Sequence, residues 1–263
     1  MKIISALLRA TLLMPLAAQA AAPPAPPIDA RPDAHTVLTV PRKRVETADY
    51  RATGRLVKVD AAGTRTSYAI NMKAHWFPGV LRVLVEVASP ANARVRILLE
   101  MRPGGKNTVQ IAHPGEPAPT ILPFDRWNEG VLGSGFSFED FLEAQYFWPG
   151  QAALETAKFG ARTCDVVRST PGADDKTHYA EVKMWLDRGI GFPVYVEKTL
   201  KATGAVKEFT YFGLRQESGV WSASQVEVKL RGRAGSTLLI VDRGSPKANL
   251  GPADFGTAQL THF

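Results

Sequence analysis

Between Tyr50 and Arg243, apolar and polar side chains alternate with a period of two, in runs of strand length separated by turn residues. In the run 80–87, Leu81, Val83, Val85 and Val87 share one face. In the next run, Val95, Ile97, Leu99 and Met101 share a face, while Arg94, Arg96, Glu100 and Arg102 take the other. The same reading predicts strands over 50–60, 64–74, 107–112, 152–158, 161–168, 178–187, 193–201, 206–215, 220–231 and 236–242. Turn chemistry marks the joints: Ala61-Ala62-Gly63, Pro103-Gly104-Gly105, Gly189-Ile190-Gly191, Thr203-Gly204, Ser218-Gly219 and Ala234-Gly235. Such alternation belongs to antiparallel strands with one wet face. So many strands in succession curl, which gives the sheet a concave apolar side.

One segment breaks the period. After a proline-rich loop from Pro114 to Gly135, Ser137 and Asp140 have the spacing of a capping box, and Phe136 and Phe141 that of a hydrophobic staple. Phe138, Phe141, Leu142 and Tyr146 form a helical stripe that Pro149 ends, so a helix is predicted over 137–147. Its apolar stripe serves equally to pack on the sheet or to cover an apolar chamber as a lid.

The N-terminus adds an address. Lys2 precedes an apolar stretch from Ala10 to Ala17, and Ala18-Gln19-Ala20 has the small-x-small form of a signal-peptidase site, so 1–20 reads as a cleavable signal peptide. No cysteine lies near that site, and a mature protein that is not itself lipidated is expected. Pro23, Pro24, Pro26, Pro27 and Pro32 make 21–40 a Pro/Ala-rich linker, with a short helix admitted over 40–49. Residues 41–263 form the single domain.

Composition narrows the chemistry. The lone cysteine, Cys164, precludes an intramolecular disulfide and reads as a small buried hydrophobe. The formal charge of +7 falls by two when Lys2 and Arg9 leave with the signal. The remaining basic residues mostly alternate along strands, as a solvated outer face requires. Nucleic acid is excluded as a partner by the export signal and the lack of a recognition motif. The five histidines are scattered, none at metal-ligand spacing, and Gly133-Ser134-Gly135 is no nucleophile elbow. No catalytic residue, metal or cofactor is expected.

The second half carries a more specific pattern. Phe138-Glu139-Asp140-Phe141-Leu142 is followed by Cys164-Asp165-Val166-Val167 and by Tyr179-Ala180-Glu181-Val182-Lys183-Met184-Trp185-Leu186-Asp187. Then come Phe192-Pro193-Val194 with Glu197, Gly204 to Lys207, Val220-Trp221, and Asn249, Leu250, Asp254 and Phe255. This resembles the outer-membrane lipoprotein-sorting, LolA-like family of periplasmic carriers, over about Tyr50 to Leu260. The resemblance implies a mainly β (α+β) fold: a curved antiparallel half-open β-barrel of about 11 strands with a few helices capping the concave apolar face. It also implies a periplasmic home and an apolar cavity for acyl chains. The chain departs from the family in a short N-terminal helix and a long loop at 114–135. By position, Arg55 and Arg65 are the candidates for an arginine that locks the lid.

The expected ligand-binding face and lid comprise Val83, Val85, Val95, Ile97, Leu99, Met101, Phe138, Phe141, Leu142, Val182, Met184, Leu186, Val226 and Val228. Arg96, Glu181, Lys183, Glu227 and Lys229 point outward. The function expected is a periplasmic carrier that shields acylated lipoprotein or another lipid, between an inner-membrane donor and an outer-membrane acceptor. A sensor or scaffold module on the same fold, binding lipoprotein or a membrane-protein partner, is the alternative. An envelope hydrolase would need a reactive cluster that these residues do not announce.

Overall fold

The computed structural model describes residues 32–263. The expected signal peptide, 1–20, and the linker as far as residue 31 lie outside the described residues. Asp33 caps a helix, α1 (Ala34–Glu46), by accepting the backbone N–H of His35 at 3.1 Å and of Thr36 at 3.3 Å. Ala34, Leu38, Pro41 and Val45 bury one side of it. The helix therefore starts inside the stretch expected to be linker and is longer than the short one admitted over 40–49. Burial of that side offsets the cost of Pro41 within the helix, about 3 kcal/mol.

Thirteen strands follow in one antiparallel sheet. The first half supplies β1 (Asp49–Val59), β2 (Arg65–Phe77), β3 (Val80–Ser89), β4 (Val95–Met101), β5 (Thr108–Ala112) and the two-residue β6 (Thr120–Ile121). The second half supplies β7 (Gly150–Phe159), β8 (Arg162–Thr170), β9 (Tyr179–Asp187), β10 (Pro193–Leu200), β11 (Val206–Glu217), β12 (Val220–Leu230) and β13 (Ser236–Ser245). The order is β6-β5-β4-β3-β2-β1-β13-β12-β11-β10-β9-β8-β7. Each half is a meander, and the first and last strands join them at the centre. The two edges, β6 and β7, are consecutive in the chain yet do not pair, so the barrel stays open. At the central seam a bulge between Thr53 and Gly54 shifts the register, and a Cβ on Gly54 would run into the Ile240 carbonyl.

The segment between the edges crosses the concave side. Lys58 of β1 donates to the Leu132 carbonyl at 2.9 Å, and the Gly135 N–H donates to Thr237 Oγ1 of β13 at 2.8 Å. Trp76 of β2 stacks on Phe147, centroids 5.9 Å apart. The segment is not the helix predicted over 137–147. A 3-10 turn at Phe138–Phe141 gives way to Glu143 with φ +48°, and a second turn follows at Ala144–Tyr146. Phe138, Leu142 and Tyr146 are all buried, as is Gln145 between them. A segment stretched from edge to edge beneath a curved sheet buries side chains on several sides, which a single helical stripe cannot do.

The convex face is not wholly wet. Leu84 and Leu98, of opposite parity to Val83 and Ile97, join Ala112 beneath a C-terminal strap of Leu250, Phe255 and Leu260. The strap is fixed by Asp49, whose carboxylate accepts the N–H groups of Asn249 (2.8 Å) and Leu250 (2.9 Å). Lys73 pairs with Asp254 at 2.9 Å, and Arg96 donates to the Gln259 carbonyl at 2.9 Å. α2 (Thr257–Thr261) lies within this strap. Among the described residues no helix is long and apolar enough to cross a membrane.

Phe255, 3% exposed under that strap, should be costly to truncate. Phe255→Ala is expected to lower the unfolding free energy by about 3–5 kcal/mol. Phe212→Ala, at a position 43% exposed, should stay within about 0.5 kcal/mol. Urea midpoints of the two variants test this, and equal midpoints would show that the strap does not bear on stability.

Candidate ligand-binding site

The crossing segment is pinned by one carboxylate. Asp140, its side chain fully buried, accepts the N–H and the hydroxyl of Ser137, both at 2.8 Å. It also accepts the Tyr179 hydroxyl at 2.7 Å and Lys198 Nζ at 3.0 Å, and it pairs with Lys207 Nζ. Those three partners come from β9, β10 and β11, so one side chain ties the segment to three adjacent strands. Burial by itself would raise the Asp140 carboxyl, but the two ammonium groups and the Ser137 N–H hold it far below the usual carboxylate range. Burial lowers the Lys207 ammonium, against the opposing pull of Asp140.

Beside this cluster lies a cavity of about 260 Å³, a little below the usual range for ligand sites, roughly 300–1,000 Å³. Ala52, Met72, Ala74, Leu81 and Val83 wall one side, and Phe209, Val226, Leu239 and Val241 the other. Val45 of α1, with Phe136 and Phe141 of the crossing segment, also lines it. At its inner end the Asp140 side chain, Lys198 and Phe209 are buried; at the outer end Tyr50, Arg215, Glu217, Val220 and Trp221 are partly or fully exposed. Arg44 lines it too, bonded to Glu143 at 2.6 Å and lying over the Phe192 ring at 5.4 Å. α1 is held against the segment there, with Arg42 Nε donating to the Tyr146 carbonyl at 2.6 Å.

Of the predicted site residues, Val83, Phe141 and Val226 line this cavity. Val85, Val95, Ile97, Leu99, Met101, Phe138, Leu142, Val182, Met184, Leu186 and Val228 face the same concave side but pack into the solid core. That core is filled by Trp127, Phe138, Leu142, Tyr146 and Trp148 of the crossing segment, so much of the concave face holds protein rather than space. Arg55 instead pairs with Asp242 at the exposed surface, 2.9 Å away, and Arg65 is exposed at the start of β2. The residues missed by sequence reasoning are Asp140, Lys198, Lys207 and Tyr179. A signal was present: Lys198 shares the face of Val194 and Val196, and Lys207 that of Phe209. Register then places the two lysines opposite each other, an arrangement that requires a shared anion. Cys164 is fully buried in β8. Among the described residues, no group of three or more His, Cys, Asp or Glu side chains is placed to hold a metal ion.

Residues 82–262 match a family model described as an uncharacterized protein, and the chain belongs to that family. No curated protein matches the sequence. Among solved structures, a domain assigned to outer membrane lipoprotein sorting, from Vibrio parahaemolyticus, superposes with a TM-score of 0.75 at 20% identity, covering 87% of this chain and 99% of that one. A DUF1329 family protein from Desulfovibrio piger gives 0.78 at 14% identity, covering 87% and 98%. A LolA superfamily protein from Nitrosomonas europaea gives 0.64 at 15% identity, covering 87% and 99%. The fold is thus LolA-like: an open, curved antiparallel sheet, here of thirteen strands.

Removing the charge of Asp140 while keeping its shape leaves two buried lysines unpaired. Asp140→Asn is expected to cost about 3–5 kcal/mol at neutral pH. Because the folded carboxyl is depressed, its stabilisation is complete above the unfolded value of about 3.9 and is lost as the pH falls from there. Thermal melts followed by circular dichroism should therefore show a wild-type advantage that is full near neutrality and narrows below about pH 4. An advantage that stays constant into strong acid would refute this role for the carboxylate.

Proposed function

We propose that this member of the family, with its LolA-like half-barrel, is a periplasmic carrier that holds the acyl part of a lipid or lipoprotein and performs no covalent chemistry on it. The observation that carries the reading is the cavity: apolar walls from both meanders, an aromatic cover from the crossing segment, and a mouth at Tyr50 and Trp221. The export signal read at 1–20, with no cysteine beside its cleavage site, supports a soluble exported carrier.

The energetics suit exchange. Each buried methylene contributes about 0.8 kcal/mol, so roughly a dozen give about 10 kcal/mol before the costs of association. Association costs of several kcal/mol offset much of that gross figure, so a chain can be shielded and still be released. Apolar walls grip without stereochemical demand, so delivery requires only a competing surface. The lipoprotein-sorting assignment of the Vibrio parahaemolyticus domain, whose fold this chain shares, supports an acylated cargo.

A fluorescent acyl probe should bind the purified protein saturably, with a dissociation constant of about micromolar, and binding should survive a chelator. Ser222→Trp, at a cavity-lining position on the same face of β12 as Val226, should weaken the probe at least about tenfold. Lys183→Ala, half-exposed on the other face of β9, should leave binding unchanged. Equal losses in the two variants, or binding that never saturates, would remove the cavity from the function.

A further inference from the structure

The inner end of the cavity holds two buried ammonium groups and two buried carboxylates that are unequally shared among their partners. Lys198 and Lys207 share Asp140, so one carboxylate answers two ammonium groups. Glu139 is turned to other partners: Thr177 Oγ1 at 3.0 Å, and the backbone N–H and ring Nδ1 of His178, both at 3.2 Å. Elsewhere on the cavity wall Arg44 is paired to Glu143, Asp49 is held by His75 and the Asn249 and Leu250 N–H groups, and Arg215 and Glu217 lie at the mouth.

The two lysines are not equivalent. Lys207 bonds Asp140, the Ser137 hydroxyl at 3.3 Å and the Tyr179 hydroxyl at 3.1 Å, so its donors are used. Lys198 has one hydrogen-bonding partner among the described residues, Asp140. Its remaining contacts are the faces of Tyr179, at 5.1 Å, and Phe209, at 4.9 Å. An ammonium carries three donors, so two of those on Lys198 lack an oxygen. It is Lys198, not Lys207, that lines the cavity. Tyr211, which lines the cavity as well, has no hydroxyl hydrogen bond to another described residue, and burial keeps its phenol protonated by pushing its pKa well up.

A buried cation with unused donors is unfavourable until an anion meets it. We propose that the cavity takes a single-chain fatty acid head-first, its carboxylate received by Lys198 Nζ and its chain lying along Phe209, Val226 and Leu239 toward Trp221. This names the ligand class for the carrier reading and rests on it. One ammonium with unused donors matches a monoanion, whereas a phosphate monoester would bring a second charge with no partner. The small cavity also suits one chain rather than several.

The test is calorimetric titration of the full mature protein with dodecanoic acid, its methyl ester and dodecyl phosphate, at neutral pH. The acid should bind at least about tenfold more tightly than the ester, because a charge-assisted hydrogen bond is lost on esterification. In Lys198→Met that ratio should fall to about one. Should the variant fail to fold, the wild-type ratio decides alone. Equal binding of acid and ester by the wild type, an acid preference that survives Lys198→Met, or tighter binding of the phosphate would each overturn the inference while leaving the carrier reading intact. Failure of all three ligands to bind would overturn the carrier reading itself.

Discussion

A single buried carboxylate governs how this protein is put together. Asp140 gathers a backbone N–H, two hydroxyls and two ammonium groups in a place from which water is excluded. Each of those groups would be costly to bury alone, and together they satisfy one another save at Lys198, which keeps donors unused. Because the donors sit on β9, β10, β11 and the crossing segment, the segment is fixed in position and not only in proximity. Its two 3-10 turns, and the left-handed Glu143 between them, follow from that fixing.

The open barrel makes such a segment necessary. β6 is two residues long and β7 lies at the far edge, so the chain between them must travel across the concave side. In doing so it supplies Trp127, Phe136, Phe138, Leu142, Tyr146 and Trp148 to the core. Where those rings meet β3, β4, β8 and β9 the interior is solid. Where the segment lies against Arg44 and the tail of α1, packing is incomplete and the cavity remains. One architecture therefore yields both a stable core and a place for a ligand, and Asp140 and Lys198 sit at the boundary between them.

Much of the candidate site was hidden for a physical reason. Alternation assigns a side chain to a face of a sheet, and it did so for Val83, Leu99, Met184 and Val228, all of which are buried. It does not say what covers that face. Eleven strand residues were expected at the ligand site on this ground, beside Phe138, Phe141 and Leu142 of the predicted helix, and the crossing segment fills the space beside most of them. The lysines were obscured by their type, since a lysine in a strand is ordinarily a solvated one. Only the pairing of Lys198 with Lys207 across β10 and β11 makes their burial with Asp140 intelligible.

By itself the sequence determined the strands other than the two-residue β6, which falls in the stretch read as loop, their antiparallel sense, the inward parity of the apolar positions and the Ser137–Asp140 cap, because each of these is set by neighbours a few residues apart. It also carried the resemblance to a LolA-like half-barrel, through spaced residues such as Asp254 and Phe255 that turn out to anchor and cover the convex side. Tertiary structure alone decided that β1 pairs with β13, that the aromatic segment is two turns rather than one helix, and that the cavity lies toward β1, β11 and β12. Those outcomes depend on contacts between residues far apart in the chain. Asp140 and Lys207 are separated by 67 positions, and no local pattern records that they meet.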